Sequence, residues 1–99
     1  MIAPFVIDRD RVKEFCCRRG IRRLALFGSV LRDDFTENSD VDVLVEFNPG
    51  ARTGLAFFDM QDELSGILGR KVDLNTAGFL SRHIREDVLR KAKDVYVAN

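Results

Sequence analysis

The 99-residue sequence lacks the residues on which several kinds of functional site depend. It has one histidine, His83, so a Ser-His-Asp catalytic set cannot be assembled convincingly, and a zinc site would find no second imidazole. Its two cysteines, Cys16 and Cys17, are adjacent and suit neither a disulfide framework nor a metal knuckle. No Gly-x4-Gly-Lys-Ser/Thr run is present, which excludes a P-loop.

The chain also lacks long apolar runs and an excess of charge of either sign. No apolar stretch approaches the roughly 20 residues that span a bilayer. The segment Met1–Ile7 is too short for a secretory hydrophobic region and is followed by charged residues. We therefore expect a cytoplasmic protein that does not bind membranes. The 16 basic and 16 acidic residues cancel, which argues against direct nucleic-acid binding.

What the chain contains is the composition of a folded domain. Hydrophobic residues make up 45% of it and charged residues 32%. A chain of this length buries roughly 60–70% of its unfolded surface, and we interpret residues 1–99 as one domain. Residues 9–23 hold seven basic and two acidic residues, whereas residues 33–46 hold six acidic and no basic ones. The basic stretch is interpreted as a solvated helix face or, alternatively, as a surface that docks a partner or steers phosphates.

Hydrophobic periodicity predicts helices and strands in the order α-β-α-β-α-β-α-β. Helices are predicted from an Asp8 cap to about Arg19, at about Val30–Phe35, over Thr53–Leu68, and after a Ser81 cap, the last with Ile84, Val88 and Ala92 buried. Strands are predicted at Ile21–Phe27, Val41–Phe47, Lys71–Asn75 and Asp94–Ala98. The alternation predicts an α/β (α+β) fold in which helices pack on a small mixed sheet of about four strands.

A candidate phosphate site lies where the first strand ends. Gly28 follows a continuously apolar strand, and a glycine there lets the backbone approach a ligand closely. The N–H groups of the following helix and the Ser29 hydroxyl could then hold phosphate oxygens. Arg32, one turn further along, could reach the same phosphates with its planar guanidinium group. Gly28, Ser29 and Arg32 are therefore the predicted nucleotide-binding residues.

Carboxylates gather at the second and third predicted strands. Asp40 and Asp42 alternate with Val41 and so point to one face. Two such charges repel by about 4 kcal/mol at 4 Å and an effective dielectric of 20, and water, a raised pKa or a cation must offset that cost. Asp73 lies mid-strand, where aspartate is unfavourable. If its strand neighbours Val41–Phe47, Asp73 completes a three-carboxylate site. Oxygen-only ligands favour Mg²⁺ or Mn²⁺.

Together these two sites suit the transfer of a nucleotide. Two metal ions could bridge an attacking oxygen, an α-phosphate and the departing pyrophosphate. Asp40 and Asp42 would hold the nucleotide-bound metal. Asp73 would help to hold the second metal and draw the proton from the attacking hydroxyl. We predict Asp40, Asp42 and Asp73 as both catalytic and metal-binding residues.

The joint pattern resembles a known family. Gly28-Ser29, ten residues, then Asp40-Val41-Asp42 resembles the signature of the DNA polymerase beta-like nucleotidyltransferase superfamily. The wider stretch through Val45 is similar to its minimal nucleotidyltransferase branch, and Asp73 matches the third carboxylate position. The final segment, residues 84–97, also resembles that branch. Asp33 departs from the pattern, because glycine is common there.

The resemblance implies the nucleotidyltransferase fold, Mg²⁺, and ATP as the nucleotide donor. It also implies a partner protein. Many minimal members are antitoxins paired with a helical HEPN-type ribonuclease toxin, and some silence the toxin by transferring AMP to one of its tyrosines.

Three functions are kept open at this point. The first is an enzyme that transfers AMP, or another nucleoside monophosphate, to a hydroxyl group on a partner protein; the complete set of three aspartates favours it, and the short chain leaves no second domain to bind a large acceptor. The second is an interaction module that neutralises its partner by occlusion. The third is transfer to a small molecule or an RNA end, with a homodimer supplying the second wall of the pocket.

Overall fold

The structure, a computed structural model, describes residues 7–31, 39–50 and 56–98. Its helices are α1 (Arg9–Arg19), α2 (Ala56–Leu68) and α3 (Arg82–Lys91), and its strands are β1 (Ile21–Phe27), β2 (Val41–Phe47), β3 (Val72–Asn75) and β4 (Lys93–Val97). Short 3-10 turns, Gly28–Leu31 and Ala77–Phe79, follow β1 and β3. The predicted order of the four strands and of the first, third and fourth helices is confirmed. The segment after β1 is a 3-10 turn where it is described, and residues 32–35 and 53–55 of the predicted helices lie outside the described residues.

The predicted boundaries of α1 are confirmed by its caps. The Asp8 carboxylate accepts a hydrogen bond from the Arg11 N–H at 3.1 Å, which satisfies one of the free donors of the first turn. Gly20 ends the helix with a φ of 71°, a conformation that costs glycine little. The cap predicted for α3 differs: Ser81 has the extended backbone of an N-cap, but its side chain makes no capping hydrogen bond within the described chain.

The four strands form one mixed sheet in the order β3-β2-β1-β4. β1 pairs antiparallel with both β2 and β4, and β2 pairs parallel with β3. The register of β1 with β4 shifts between Leu24 and Ala25, which leaves Val95 out of the pairing. The Val95 carbonyl instead accepts a hydrogen bond from Arg9 Nη1 at 3.0 Å.

Each face of the sheet has its own apolar cluster. The larger cluster joins α1 and α2 to one face and includes Phe15, Met60 and Leu64. On the other face, α3 places Val88 against Phe27 and Leu44. None of the described helices is long and apolar enough to cross a bilayer.

The sequence prediction for α3 is wrong at Ile84. Val88 is buried and Ala92 half-buried, as predicted, but Ile84 is 53% exposed. Ile84 lies one turn before Val88 on the helix, and the cluster on this face forms at Val88 and does not extend to that turn. Helical spacing identified the apolar stripe, but it could not show how far along the stripe the sheet reaches.

The basic stretch is largely tied into the scaffold by ion pairs. Arg18 and Arg19 both bind Glu63 of α2, and the hydrogen bond from Arg18 lowers the pKa of Glu63. In β1, Arg23 binds Glu46 of β2 at 3.0 Å and Asp94 of β4 at 2.6 Å, so it links three strands. Neither interpretation of the stretch, as a solvated helix face or as a surface that docks a partner or steers phosphates, anticipated these ion pairs.

Candidate active site

The site is built on the parallel pairing of β2 with β3. In that register Asp42 lies directly opposite Asp73, and adjacent strands place such Cα atoms about 4.8 Å apart. Asp42 lies between Val41 and Val43, which belong to the core on the α1–α2 face, so its side chain belongs to the opposite face of the sheet. The condition set by the sequence is therefore met: the two strands are neighbours, and they bring these two carboxylates together.

Gly28 joins the phosphate motif to the carboxylates. The residue before it, Phe27, pairs with Asp42 in the antiparallel register of β1 and β2. Gly28 has a φ of 76°, and an ideal Cβ built on it would lie 2.2 Å from Asp42 Oδ2. The Asp42 carboxylate therefore lies against the bare Cα of Gly28, and the two halves of the sequence motif are in contact.

Asp40 lies immediately before β2 and is exposed, as is Asp73, whereas Asp42 is half-buried. In the part of the chain that is described, no group of three or more His, Cys, Asp or Glu side chains is placed to hold one metal ion. The donor set is nevertheless all oxygen, which is what Mg²⁺ prefers. A cation would offset the repulsion between the carboxylates and draw them together.

The other two predicted phosphate ligands are placed less fully. Ser29 directly follows Gly28 in the 3-10 turn, so its backbone lies next to the residue that contacts Asp42 of β2. Arg32 lies outside the described residues, as does Asp33. The structure thus brings Gly28, Asp42 and Asp73 together, with Ser29 and Asp40 next to them in the chain.

A groove beside Gly28 was not predicted from the sequence. It has a volume of about 480 Å³, within the range of small-molecule sites. Its lining residues include Phe27, Gly28 and Leu31 on one side and Ile84, Val88 and Lys91 on the other. Ile84, which the sequence predicts to be buried, lines this groove instead.

The charge at the groove comes from α3 and from the start of β4. Asp87, which also lines it, binds Lys91 at 3.2 Å and Arg90 at 2.8 Å. The hydrogen bond from Lys91 lowers the pKa of Asp87, so this carboxylate is ionised at neutral pH. Lys93, at the start of β4, adds a further ammonium group to the lining.

Comparisons with known proteins agree over most of the chain. The sequence pattern of the nucleotidyltransferase domain family matches residues 9–95. The protein adenylyltransferase MntA of Thermococcus cleftensis is 39% identical over 85 residues, which cover 86% of this chain and 83% of the relative. A solved structure of a candidate minimal nucleotidyltransferase aligns with a TM-score of 0.71 at 42% identity, over 85% of each chain. A chain from a toxin–antitoxin complex with AMP-PNP shares the fold, with a TM-score of 0.73 at 19% identity, over 94% of this chain and 76% of that one.

Proposed function

The chain belongs to the nucleotidyltransferase domain family, and on that premise we propose that this enzyme transfers AMP from ATP to a hydroxyl group of a partner protein. The observation that carries the proposal is the meeting of Gly28, Asp42 and Asp73 at one point of the sheet. A turn that could bind phosphate, in contact with one of two facing carboxylates, suits metal-assisted phosphoryl chemistry. In the proposal Asp40, Asp42 and Asp73 bind Mg²⁺, and Gly28, Ser29 and Arg32 bind the triphosphate.

The residues of the chain would divide the work as follows. The backbone N–H groups of the Gly28–Leu31 turn would bind phosphate oxygens, and the missing side chain of Gly28 leaves room for the Asp42 carboxylate beside them. Asp40, Asp42 and Asp73 would hold Mg²⁺, which would supply charge neutralisation at the reacting phosphates. The acceptor oxygen forms a bond to the α-phosphorus, the bond from that phosphorus to the β-phosphate bridging oxygen breaks, and pyrophosphate leaves. Asp73 takes the proton of the acceptor hydroxyl.

We further propose that the acceptor is a HEPN-type toxin and that the chain acts as its antitoxin. Two similarities support this. The 39%-identical relative is named a protein adenylyltransferase. The fold is also that of a chain in a toxin–antitoxin complex crystallised with AMP-PNP. ATP as donor is the choice consistent with both.

The test is a labelling assay with a matched carboxylate control. The chain is incubated with Mg²⁺ and α-labelled ATP, with and without the product of the neighbouring gene as the candidate partner, and each protein is scored on a gel. We expect label on the partner, lost in Asp42→Asn and kept in Asp62→Asn, an exposed aspartate of α2. Affinity capture of the complex shows whether Asp42→Asn still binds the partner.

The same assay separates the alternative functions. If neither protein is labelled and Asp42→Asn still silences the toxin, the chain acts by occlusion. If added RNA or a small hydroxylated compound takes the label while the partner does not, the acceptor class is different. Either result contradicts the proposal.

A further inference from the structure

β3 is an edge strand, and two side chains of α2 bind its outward N–H groups. The Val72 N–H donates to Ser65 Oγ at 3.0 Å, and the Leu74 N–H donates to Gln61 Oε1 at 2.9 Å. Both bonds are partly buried, and the two N–H groups flank Asp73. We propose that Gln61 and Ser65 are positioning residues for Asp73, which they hold in place along the sheet. This inference rests on the proposed function, in which Asp73 is a metal-binding carboxylate.

The spacing of the two elements explains why both bonds can form. Gln61 and Ser65 are four residues apart on α2, which separates them by about 6 Å along the helix axis. Val72 and Leu74 are two residues apart on β3, which separates their N–H groups by about 6.6 Å. The two spacings are therefore nearly equal, so both bonds can form at once. Ser65, the later helix residue, bonds Val72, and Gln61 bonds Leu74.

Ser65 also fixes the connection from α2 to β3. Its hydroxyl donates to the Gln61 carbonyl at 2.9 Å while accepting from Val72. Its carbonyl accepts from the N–H groups of Gly69, at 2.9 Å, and Arg70, at 3.3 Å, in the turn that leads to the strand. The start of β3 is thus tied to a single residue of the helix.

On the inner side, β3 is held by β2. The Val41 N–H donates to the Lys71 carbonyl at 2.9 Å, and the parallel register continues through the Asp42–Asp73 pair. Together with the bonds from α2, this fixes the backbone around Asp73 from both sides. The Asp73 side chain itself is exposed, so it has little packing of its own to hold it.

Apolar packing alone would not prevent β3 from sliding along its own axis. Val72 and Leu74 are buried, and their burial fixes how deep the strand lies. Burial is non-directional, however, and permits small sliding along the strand axis. Hydrogen bonds are directional and oppose such sliding. A metal-binding carboxylate has to be placed to within about 0.5 Å, and this pair of bonds opposes the sliding that would displace it.

The experiment compares removal with conservative replacement at both positions. Gln61→Leu and Ser65→Ala remove the acceptor oxygens, whereas Gln61→Glu and Ser65→Thr keep one. The full chain is assayed for AMP transfer to its partner, with kcat, the KM for ATP and the Mg²⁺ concentration for half-maximal rate measured for each variant. We expect the removing variants to lose about tenfold or more in kcat and to need more Mg²⁺, with KM for ATP changed by less than about twofold.

The controls separate positioning from general destabilisation. Val12→Ala, a change in α1 that touches neither α2 nor β3 in sequence, opens a cavity in the core and is expected to lower the melting temperature without lowering kcat. The Glu and Thr variants are expected to recover most of the lost kcat. The inference is overturned if the removing variants keep the wild-type kcat, if Val12→Ala loses as much, or if the conservative variants recover nothing.

A second readout needs no catalysis. Amide hydrogen exchange by NMR, without nucleotide, is compared for Val72 and Leu74 against Val45 in the centre of the sheet. Faster exchange at Val72 in Ser65→Ala and at Leu74 in Gln61→Leu, with Val45 unchanged, is the expected result. Unchanged exchange at Val72 and Leu74 overturns the inference. If wild type transfers no AMP, the proposed function fails, and this exchange measurement still decides whether the two side chains hold β3.

Discussion

The Asp42 carboxylate occupies the space in which a side chain at position 28 would have to lie, 2.2 Å from the place of a Cβ on Gly28. Position 28 therefore favours glycine for two reasons: the Asp42 side chain leaves no room for a Cβ, and the backbone has a φ of 76°. The two requirements can be separated by mutation, because Gly50 has a similar φ of 83° and an added Cβ there would meet no atom of the described residues within 4 Å.

We predict that Gly28→Ala is more damaging than Gly50→Ala. Both variants incur the left-handed backbone strain, about 1 kcal/mol. Gly28→Ala must also displace Asp42, which costs about 1–3 kcal/mol more and lowers AMP transfer by about 100-fold. Thermal melting and the labelling assay measure the two effects. Equal melting temperatures and equal activities for the two variants would contradict the packing of Asp42 on Gly28.

Removing Mg²⁺ should reverse the effect of Asp73 on stability. Without divalent cations, facing like charges on adjacent strands cost roughly 0.2–1 kcal/mol, so Asp73→Asn should melt at the wild-type temperature or a few degrees above it. At Mg²⁺ ten times its Kd, wild type should gain about 1.4 kcal/mol, and the variant should not. Melting curves in EDTA and in Mg²⁺ give the comparison, with Asp62→Asn as the control. A wild type that does not respond to Mg²⁺ would argue against a metal site at Asp73.

The pair of Arg23 and Glu46 should make stability depend on acid. The hydrogen bond from Arg23 lowers the pKa of Glu46 below its ordinary value of 4.5. A carboxylate whose folded pKa is depressed stabilises the fold above its unfolded pKa, and this contribution is lost as the pH falls through the folded pKa. Glu46→Gln should therefore cost about 0.5–1 kcal/mol at pH 7, and it should converge with wild type only when the pH falls below the depressed folded pKa of Glu46. Denaturant unfolding at several pH values tests this; a constant difference would contradict it.

Two apolar residues of α3 should behave in opposite ways. Val88 is buried between Phe27 and Leu44, and Val88→Ala should cost about 2 kcal/mol of stability. Ile84 lines the groove beside Gly28, so Ile84→Ser should leave the melting temperature nearly unchanged while it weakens binding of ATP or of the partner. Melting curves and binding titrations distinguish the two. A clear loss of stability in Ile84→Ser would show that Ile84 contributes to the core and would contradict its placement in the groove.

The two adjacent thiols should differ in reactivity. Burial raises the pKa of Cys16 to about 12, so this thiol carries almost no thiolate at neutral pH. Cys17 is exposed, with its Sγ 3.6 Å from the Tyr96 hydroxyl. We expect one fast and one slow phase with a chromogenic disulfide reagent in the folded protein, and loss of the fast phase in Cys17→Ser. Two equal phases would contradict the burial of Cys16.

Local patterns predicted much of this structure because local forces set it. Asp8 and Gly20 bound α1 as predicted, since capping depends on neighbouring residues alone. The alternation of Val72, Asp73 and Leu74 indicated which face carries the aspartate. Whether Asp73 lies beside Asp42 depends on the order of the strands, which the sequence patterns do not determine. In the structure β2 and β3 are neighbours, and the two aspartates lie opposite each other.

The features that sequence patterns missed depend on long-range register. In the sequence, Gln61 and Ser65 look like ordinary polar positions of an amphipathic helix. Only the packing of α2 against β3 places their side-chain oxygens where they accept hydrogen bonds from the strand. The exposure of Ile84 likewise depends on where α3 crosses the sheet. The ion pairs of Arg18 and Arg19 with Glu63 required the packing of α1 on α2, which charge counts along the chain do not contain.

The bonds at the two edges of the sheet also bear on self-association. At one edge, the outward N–H groups of Val72 and Leu74 donate hydrogen bonds to side chains of α2. At the other edge, the Val95 carbonyl accepts a hydrogen bond from Arg9. An approaching strand would find its ladder interrupted on either side, the arrangement by which proteins discourage edge-to-edge aggregation. High concentrations of this chain should therefore stay free of fibrils, and a Gln61→Leu, Arg9→Ala double variant should be the first to form them.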